Sequence, residues 1–303
     1  MPERLPLKDQ VVLITGASAG IGAALAQKLA EQYPGIRLVL AARRRDRLEE
    51  FANVCQSLGA NTLTIPTDMA QVEQAQALAQ QALEHFGQVD VLVNNAGYGQ
   101  MGPLELMPPS ECRRQFEVNV FGPLALTQAV IPSMRDRGNG KIINISSIGG
   151  RTAFPLGGLY SSSKFALEAM SDVLRMELEP FNIQVSVIEP GAVRNEFLEV
   201  VKQELTDVIP NPQNTPYWAA FTKFKQLEQQ TNATAWTSEQ VANVTIKAIA
   251  ANHPRPRYVA ATAGGFLVFL LTKALPRKAV DRFWQRFYGI DQITKQRKQA
   301  THP

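Results

Sequence analysis

Residues 11–22 read VVLITGASAGIG, and this stretch decides the fold. Apolar residues of high β propensity come first, a turn containing Gly16, Gly20 and Gly22 follows, and a helical pattern begins at Ile21. Glycine lets the backbone approach a bound group closely, and the free N–H groups at a helix start attract anions. Between the first strand and first helix of a β-α-β unit, this turn predicts a pyrophosphate site. An ordinary glycine turn is the alternative interpretation.

The alternation of strand and helix continues to about residue 260. Runs rich in Val, Ile and Leu predict strands buried on both faces, and amphipathic segments between them predict helices. The predicted strands are Val11–Thr15, Arg37–Ala41, Thr62–Pro66, Val89–Asn94, Lys141–Ser146, Gln184–Glu189 and Arg257–Ala260. The predicted helices are Ile21–Gln32, Arg45–Leu58, Gln71–His85, Ser110–Arg135, Tyr160–Glu179 and Ser238–Ala251. This order predicts an α/β protein with a doubly wound parallel sheet, the Rossmann fold, in one domain over residues 1–260.

One segment inside this domain departs from the pattern. Residues 192–237 contain three prolines and four aromatic residues between Tyr217 and Phe224. A long, irregular, aromatic insertion in a compact α/β domain predicts a lid or binding loop. A surface excursion that packs its own small cluster is the alternative.

Residues 261–303 are predicted to form a C-terminal helical extension. The apolar stretch from Val259 to Leu271 is too short to span a bilayer, which takes about twenty residues. Farther on, apolar residues recur at helical spacing with Lys and Arg between them; they are Val280, Phe283, Trp284 and Phe287. Two interpretations stay open: a helix pair that closes a pocket or pairs subunits, and an interfacial helix in peripheral contact with a membrane.

Charge and composition bear on several classes of protein. The formal net charge is +4 with no long basic run, so no nucleic-acid partner is expected. Two cysteines and three scattered histidines predict neither a disulfide framework nor a metal site. The first ten residues, MPERLPLKDQ, lack the apolar core of a signal peptide, so a cytoplasmic location is expected.

The end of the second strand bears on which dinucleotide binds. NAD sites usually place an acidic residue there to hold the ribose hydroxyls, whereas this chain has two alanines and then Arg43 and Arg44. The Arg43 guanidinium can pair with a 2′-phosphate through two charge-assisted hydrogen bonds, and Ser18 can add a hydroxyl contact. NADP(H) is therefore the expected cofactor. Arg44 and Arg45 are either solvated or share the phosphate.

Tyr160 and Lys164, in the segment YSSSK, lie one turn apart on the same face of a predicted helix. A phenol with a pKa of about 10 is a poor acid or base at neutral pH. A nearby ammonium stabilises the phenolate and lowers that pKa. Alone, such a pair is usually structural.

Four sequence blocks, in order, resemble the short-chain dehydrogenase/reductase family over residues 9–260: TGASAGIG at 15–22, NNAG at 94–97, NISS at 144–147 and YSSSK at 160–164. The resemblance implies a nicotinamide-dependent oxidoreductase in which Tyr160 is the acid or base. It also implies that Lys164 binds the nicotinamide ribose and lowers the pKa of Tyr160. By the same resemblance, Ser147 is expected to polarise the substrate carbonyl, with Ser146 as the structural neighbour, and Asn119 is expected to belong to a water relay.

The resemblance also implies a set of cofactor contacts. Beyond the glycine turn they are Asn95, Ala96, Gly97, Pro190, Gly191, Val193, Asn195 and Asp68. Asp68 either contacts the adenine or caps a helix. The family pattern PGxVxT carries a Thr that bonds the carboxamide; Asn195 stands in its place, and its amide can donate and accept.

The expected substrate is a hydrophobic ketone or alcohol. The pocket is predicted to be lined by residues 98–101, residues 148–156 and the lid, which are largely apolar. The family commonly pairs subunits through helices equivalent to residues 110–135 and 160–179, so a homodimer or homotetramer is expected. Two other hypotheses remain: a regulatory protein that binds a dinucleotide without turnover, and a membrane-docked partner protein.

Overall fold

A seven-stranded parallel sheet forms the centre of the molecule in the computed structural model, which describes residues 5–232 and 235–293. In chain order its strands are β1 (Val11–Thr15), β2 (Arg37–Ala42), β3 (Asn61–Pro66), β4 (Val91–Asn94), β5 (Gly140–Ile145), β6 (Ile183–Pro190) and β9 (Arg257–Ala260). Two short strands, β7 (Val193–Arg194) and β8 (Trp236–Thr237), pair separately. The spatial order β3-β2-β1-β4-β5-β6-β9 reverses between β1 and β4. The predicted doubly wound Rossmann fold is confirmed.

Helices cover both faces of this sheet, and further helices form the lid and the C-terminal extension. They are α1 (Gly20–Gln32), α2 (Arg45–Ser57), α3 (Val72–Phe86), α4 (Pro109–Phe116), α5 (Gly122–Arg137), α6 (Gly158–Leu178), α7 (Phe197–Val208), α8 (Trp218–Asn232), α9 (Ser238–Ala250), α10 (Gly264–Phe269) and α11 (Arg277–Phe287). Successive residues of one strand face opposite layers: Ile14 packs with residues of α1 and α9, and Leu13 with residues of α3 and α5. Because both faces are buried, the strands read as continuous apolar runs.

The predicted helix Ser110–Arg135 is interrupted by a wider turn. Residues Glu117–Phe121 form a π turn between α4 and α5. Within it, the fully buried Asn119 side chain accepts a hydrogen bond from the Tyr98 N–H and donates to the Tyr98 carbonyl and the Ser163 hydroxyl. Periodicity does not reveal such a turn, because the apolar pattern continues on either side of the one inserted residue.

The lid is more regular than predicted. The segment 192–237 contains two helices, α7 and α8, where the sequence predicts an irregular excursion. Its three prolines, Pro210, Pro212 and Pro216, all lie between these helices. Because proline disfavours helical backbone at the residue before it, the prolines separate two helices and do not break either one.

The C-terminal extension is helical as far as the structure describes it. A π turn at Leu270–Ala274 follows α10 and leads to α11. Val268, Leu271 and Val280 are buried, so this segment packs on the rest of the molecule. In the described residues no helix is long and apolar enough to cross a membrane. The division into a domain of residues 1–260 and an extension stays a prediction.

Candidate active site

The glycine turn after β1 needs its glycines. Gly16 and Gly20 have φ angles of +67° and +57°, a region that favours glycine. A Cβ at Gly22 would collide with the Gly16 carbonyl and come within 2.5 Å of the Asn95 side chain. Ala19, at the start of α1, supplies no side-chain cap, so the N–H groups of the first helical turn remain open to an anion at the turn.

The end of β4 is hydrogen-bonded to the end of β1, next to the glycine turn, through Thr15. We call this part of the site the nucleotide end. The Thr15 hydroxyl accepts hydrogen bonds from the N–H groups of Asn95 and Ala96, both at 3.0 Å. The Asn95 amide donates to the Thr15 carbonyl at 2.8 Å. These bonds hold the ends of β1 and β4 together at the point where the strand order reverses, which is where ligands bind in open α/β sheets.

Most of the predicted cofactor residues line one pocket of about 740 Å³. They are Gly16, Ser18, Gly20, Ile21, Arg43, Asp68, Asn95, Ala96, Gly97, Pro190, Gly191, Val193 and Asn195. Gly22 lies behind the turn and does not line the pocket. The alternative role of Asp68 as a helix cap is wrong, because its carboxylate accepts from the Ala70 N–H before α3 begins at Val72.

The arginines after β2 differ in their partners. Arg44 and Arg47 pair with Glu196 of the lid at 3.4 and 3.0 Å. Arg45 pairs with Glu49 on its own helix at 3.3 Å. Arg43 lines the pocket and forms no ion pair in residues 5–232 and 235–293. Its guanidinium is therefore the one in this arginine run that can receive an anion without breaking an ion pair.

Ser147, Tyr160 and Lys164 meet at the middle of the pocket. Ser147 is close enough to the Tyr160 hydroxyl to lower the pKa of Tyr160, and the Ser147 hydroxyl accepts a hydrogen bond from the Gly149 N–H at 3.0 Å. The Lys164 ammonium lies 5.9 Å from the centre of the Tyr160 ring and donates to the Ile145 carbonyl at 2.9 Å. Because β5 ends just before Ser147 and α6 carries the other two, the sheet edge and one helix face fix all three.

Burial moves the pKa values of this cluster in opposite directions. It raises the pKa of Tyr160 to about 12, against the lowering effect of the nearby Ser147 hydroxyl. It lowers the pKa of Lys164 to about 8, against the raising effect of the Glu168 charge. In the protein without bound ligands, Tyr160 is therefore a proton donor over the neutral range, and Lys164 changes charge in the mildly alkaline range.

Behind Lys164 lies a buried ionic group that the sequence analysis missed. Glu168 and Glu189 are 5% and 0% exposed. Arg257 pairs with them at 3.0 and 3.3 Å, and Arg151 pairs with Glu189 at 2.8 Å. Two signals were present: Glu168 follows Lys164 by four residues, and Glu189 interrupts an apolar strand. Their partners are distant in sequence, so neither signal identified the network.

Asn119 and Asn195 have local partners. Asn119 lies below the pocket, next to Gly97. If Gly97 carried a Cβ, that atom would be 3.1 Å from Asn119 Oδ1 and 3.5 Å from Lys164 Nζ. Asn195 lines the pocket, and its Oδ1 accepts from the Phe197 N–H at 3.0 Å. The side-chain oxygen of Asn195 therefore holds the start of α7, and its amide nitrogen is the group left for a ligand.

The other end of the pocket is apolar. Phe197 packs against Tyr160 with ring centres 5.8 Å apart, and Phe154 stacks on Tyr288 at 5.5 Å. Of the four aromatic residues predicted for the lid, Phe224 lines the pocket and Trp218 is 40% exposed. The remaining two, Tyr217 and Phe221, pack in a separate cluster around Met107. One part of the segment therefore lines the pocket, as a lid or binding loop would, and another part packs in a small cluster of its own.

The C-terminal extension supplies a large part of the apolar wall. Its lining residues are Leu267, Phe283, Trp284, Phe287 and Tyr288. Trp284 donates a hydrogen bond to the Thr152 hydroxyl at 3.3 Å and packs near Phe154. This placement agrees with the hypothesis that the terminal helices close a pocket. Within the described residues there is no group of three or more His, Cys, Asp or Glu side chains placed to hold a metal ion.

Comparisons with known proteins agree with this geometry. The family model described as short chain dehydrogenase matches residues 10–206. A 3-ketodihydrosphingosine reductase of Bacteroides thetaiotaomicron is 38% identical over 193 residues, which are 64% of this chain and 67% of that protein.

Two solved structures extend the likeness to the fold. A short chain dehydrogenase/reductase of Burkholderia phymatum in complex with NAD has a TM-score of 0.77 at 27% identity, covering 88% of this chain and 94% of the other. A metagenomic short-chain oxidoreductase in complex with NADP has a TM-score of 0.66 at 29% identity, covering 84% and 97%. With its glycine turn, its Ser147, Tyr160 and Lys164 cluster and these matches, this chain belongs to the short-chain dehydrogenase/reductase family of oxidoreductases.

Proposed function

We propose that this protein uses NADP(H) to interconvert a hydrophobic ketone or aldehyde and the corresponding alcohol. The observation that carries the proposal is that Ser147, Tyr160 and Lys164 line the same pocket as the glycine turn. A site of this kind places a proton donor between a dinucleotide and an apolar cavity.

The residues of the chain have separate tasks in the reductive direction. A nicotinamide dinucleotide held at the glycine turn and by Lys164 would supply the hydride for the carbonyl carbon. Ser147 donates a hydrogen bond to the carbonyl oxygen, where negative charge develops. Tyr160 gives its hydroxyl proton to that oxygen, and its raised pKa keeps the phenol protonated until then. The Lys164 ammonium stabilises the phenolate that remains.

The preference for NADP(H) rests on Arg43. It lines the pocket at the end of β2 and has no carboxylate partner among the residues that the structure describes, whereas an acidic residue at this place would repel a 2′-phosphate. The structural neighbours include complexes with NAD and complexes with NADP or NADPH, so family membership alone leaves the choice between the two cofactors open.

The hydrophobic substrate is supported by the composition of the cavity. Phe154, Phe197 and Phe224 line it together with the aromatic residues of the extension. The Bacteroides relative is named for a ketone on a long-chain lipid, which is a substrate of this character. Burial of apolar surface in such a cavity favours long-chain or polycyclic carbonyl compounds over small polar ones.

The test is consumption of NADPH, followed across a series of apolar ketones and aldehydes, with NADH as the parallel cofactor. The Arg43→Ala variant should raise the KM for NADPH by about tenfold to a hundredfold, because two charge-assisted hydrogen bonds are lost, and should change the KM for NADH little. Arg45→Ala is the matched control, since Arg45 pairs with Glu49 on its own helix. Equal losses with both cofactors in Arg43→Ala would refute the phosphate assignment, and no NADPH consumption with any carbonyl compound would refute the reaction.

A further inference from the structure

A group of five large apolar side chains on the described part of the C-terminal extension is exposed, and three of them line the pocket. Phe266 and Phe269 on α10 are 68% and 56% exposed. Leu267, Phe283 and Phe287 line the pocket and are still 37–40% exposed. Phe283 and Phe287 stack on each other with ring centres 5.8 Å apart, so they present one aromatic face. These five residues are the apolar part of what we name the basic-aromatic surface.

Both helices of the extension already bury another face. Val268 and Val280 are 6% and 3% exposed, and Trp284 and Tyr288 pack against Phe154. The exposed aromatic residues are therefore not needed to attach the extension to the molecule. Apolar side chains concentrated on a second helix face mark an interaction site.

The charged part of the basic-aromatic surface is cationic. Its basic residues are exposed, and they are Lys273, Arg277, Lys278, Arg282 and Arg286. Between Gly264 and Ile293 these five basic residues stand beside two acidic ones, so +3 of the chain's formal net charge of +4 lies in this segment. On α11, Arg282 and Arg286 each directly precede an exposed Phe in sequence.

We propose that the basic-aromatic surface docks peripherally on an anionic lipid bilayer. Aromatic side chains enter the boundary between headgroups and acyl chains, and basic side chains pair with lipid phosphates. A second copy of this chain fits less well, because two surfaces of the same positive charge would face each other. Docking would let an apolar substrate pass from the bilayer into the pocket. This last step rests on the proposed function, whereas the docking itself does not.

The experiment is co-sedimentation of the full-length protein with vesicles of phosphatidylcholine alone and of phosphatidylcholine mixed with phosphatidylserine. The wild type should sediment with the mixed vesicles and be released at high salt. Phe266→Ser combined with Phe269→Ser should lower the partition coefficient by roughly tenfold or more, because two phenyl rings no longer leave water. Arg282→Gln combined with Arg286→Gln should weaken the preference for the mixed vesicles, because two of the five basic residues no longer pair with lipid phosphates.

The matched control is Val173→Ser combined with Met176→Ser. This pair on α6 has the same three-residue spacing and is 46% and 60% exposed. It should sediment like the wild type, with circular dichroism of all variants unchanged. Wild type that stays in the supernatant, or equal loss in both serine pairs, overturns the proposal. The proposal is also overturned if the wild type is a dimer in the absence of vesicles and the Phe266→Ser, Phe269→Ser variant is a monomer.

Failure of docking and failure of the proposed function are distinguishable. NADPH binding, and NADPH consumption with the same series of apolar ketones and aldehydes, are measured without vesicles. A protein that binds vesicles and consumes no NADPH supports docking alone, whereas one that consumes NADPH and ignores vesicles refutes docking alone.

Discussion

The nucleotide end and the substrate end of the pocket are built by different parts of the chain. The first is made of strand ends and the glycine turn, held by hydrogen bonds from the Asn95 and Ala96 N–H groups to the Thr15 hydroxyl. The second is made of side chains on helices of the lid and the extension. The family match stops at residue 206, inside α7, so α8, α10 and α11 lie beyond it. The family match thus covers the backbone that holds a dinucleotide and leaves out most of the wall that selects a substrate.

The largest expected effect on catalysis comes from changing Tyr160, which lies between the two ends of the pocket. Tyr160→Phe removes the donated proton and keeps the ring, so kcat should fall by about 10²–10⁴-fold with little change in NADPH binding. Tyr288→Phe is the matched control: it removes a hydroxyl from the same pocket at the substrate end and should leave kcat nearly unchanged. Turnover retained in Tyr160→Phe, measured by NADPH absorbance, would remove Tyr160 from the mechanism.

The next prediction compares a glycine at each end. Gly22→Ala places a methyl group against the Gly16 carbonyl, so the turn must shift and NADPH binding should weaken by about tenfold or more. Gly265→Ala adds the same methyl group on α10, where a Cβ would have no atom within 4 Å, and NADPH binding should not change. Fluorescence titration of both variants measures this difference. Equal affinities would show that the turn tolerates a side chain.

The nucleotide end could be predicted from the sequence because its signals are local. A strand buried on both faces, a turn that needs positive φ and a helix start follow one another within residues 11–22. Arg43 and the helical pair of Tyr160 and Lys164 are similarly short-range patterns. The fold class follows from repetition of the same strand and helix pattern.

The features that the sequence did not predict depend mostly on contacts between residues that are distant in sequence. Arg257 reaches Glu168 across 89 positions, and Trp284 reaches Thr152 across 132. Periodicity revealed that residues 280–287 form an amphipathic helix and could not decide what its apolar face covers. The π turn at Glu117–Phe121 was missed because a single inserted residue does not disturb an apolar pattern enough to be seen.

The buried ionic group gives a prediction on pH. The pKa of Lys164 is lowered to about 8, so its ammonium predominates below that pH and is lost above it. The kcat/KM for NADPH-dependent reduction should therefore fall as the pH rises through about 8, a range in which Tyr160, with its pKa of about 12, stays protonated. Glu168→Gln removes the charge that raises the pKa of Lys164, so the fall should begin about half a unit to one unit lower.

Asp172→Asn is the control for this shift. Asp172 pairs with the same Arg257 and lies one turn farther along α6 from Lys164 than Glu168 does. Removing its charge should lower the free energy of unfolding without moving the pH profile. A profile that shifts equally in both variants would mean that the arginine, and not the Glu168 charge, sets the pKa of Lys164.

The smallest expected effect, on stability and on the KM for NADPH, comes from changing Glu196, where the lid contacts the nucleotide end. Glu196 of the lid pairs with Arg44 and Arg47 of the nucleotide end, and all three side chains are about half exposed. Exposed ion pairs contribute little, so Glu196→Gln should lower the free energy of unfolding by about 0.5 kcal/mol or less and change the KM for NADPH less than about twofold. Glu49→Gln, which breaks the exposed pair with Arg45, is the matched control. If Glu196→Gln alone strengthened NADPH binding strongly relative to NADH, the lid carboxylate would be competing with the 2′-phosphate for arginines. The two ends would then act on each other, and the division between a backbone-built nucleotide end and an independent substrate end would be wrong at this point.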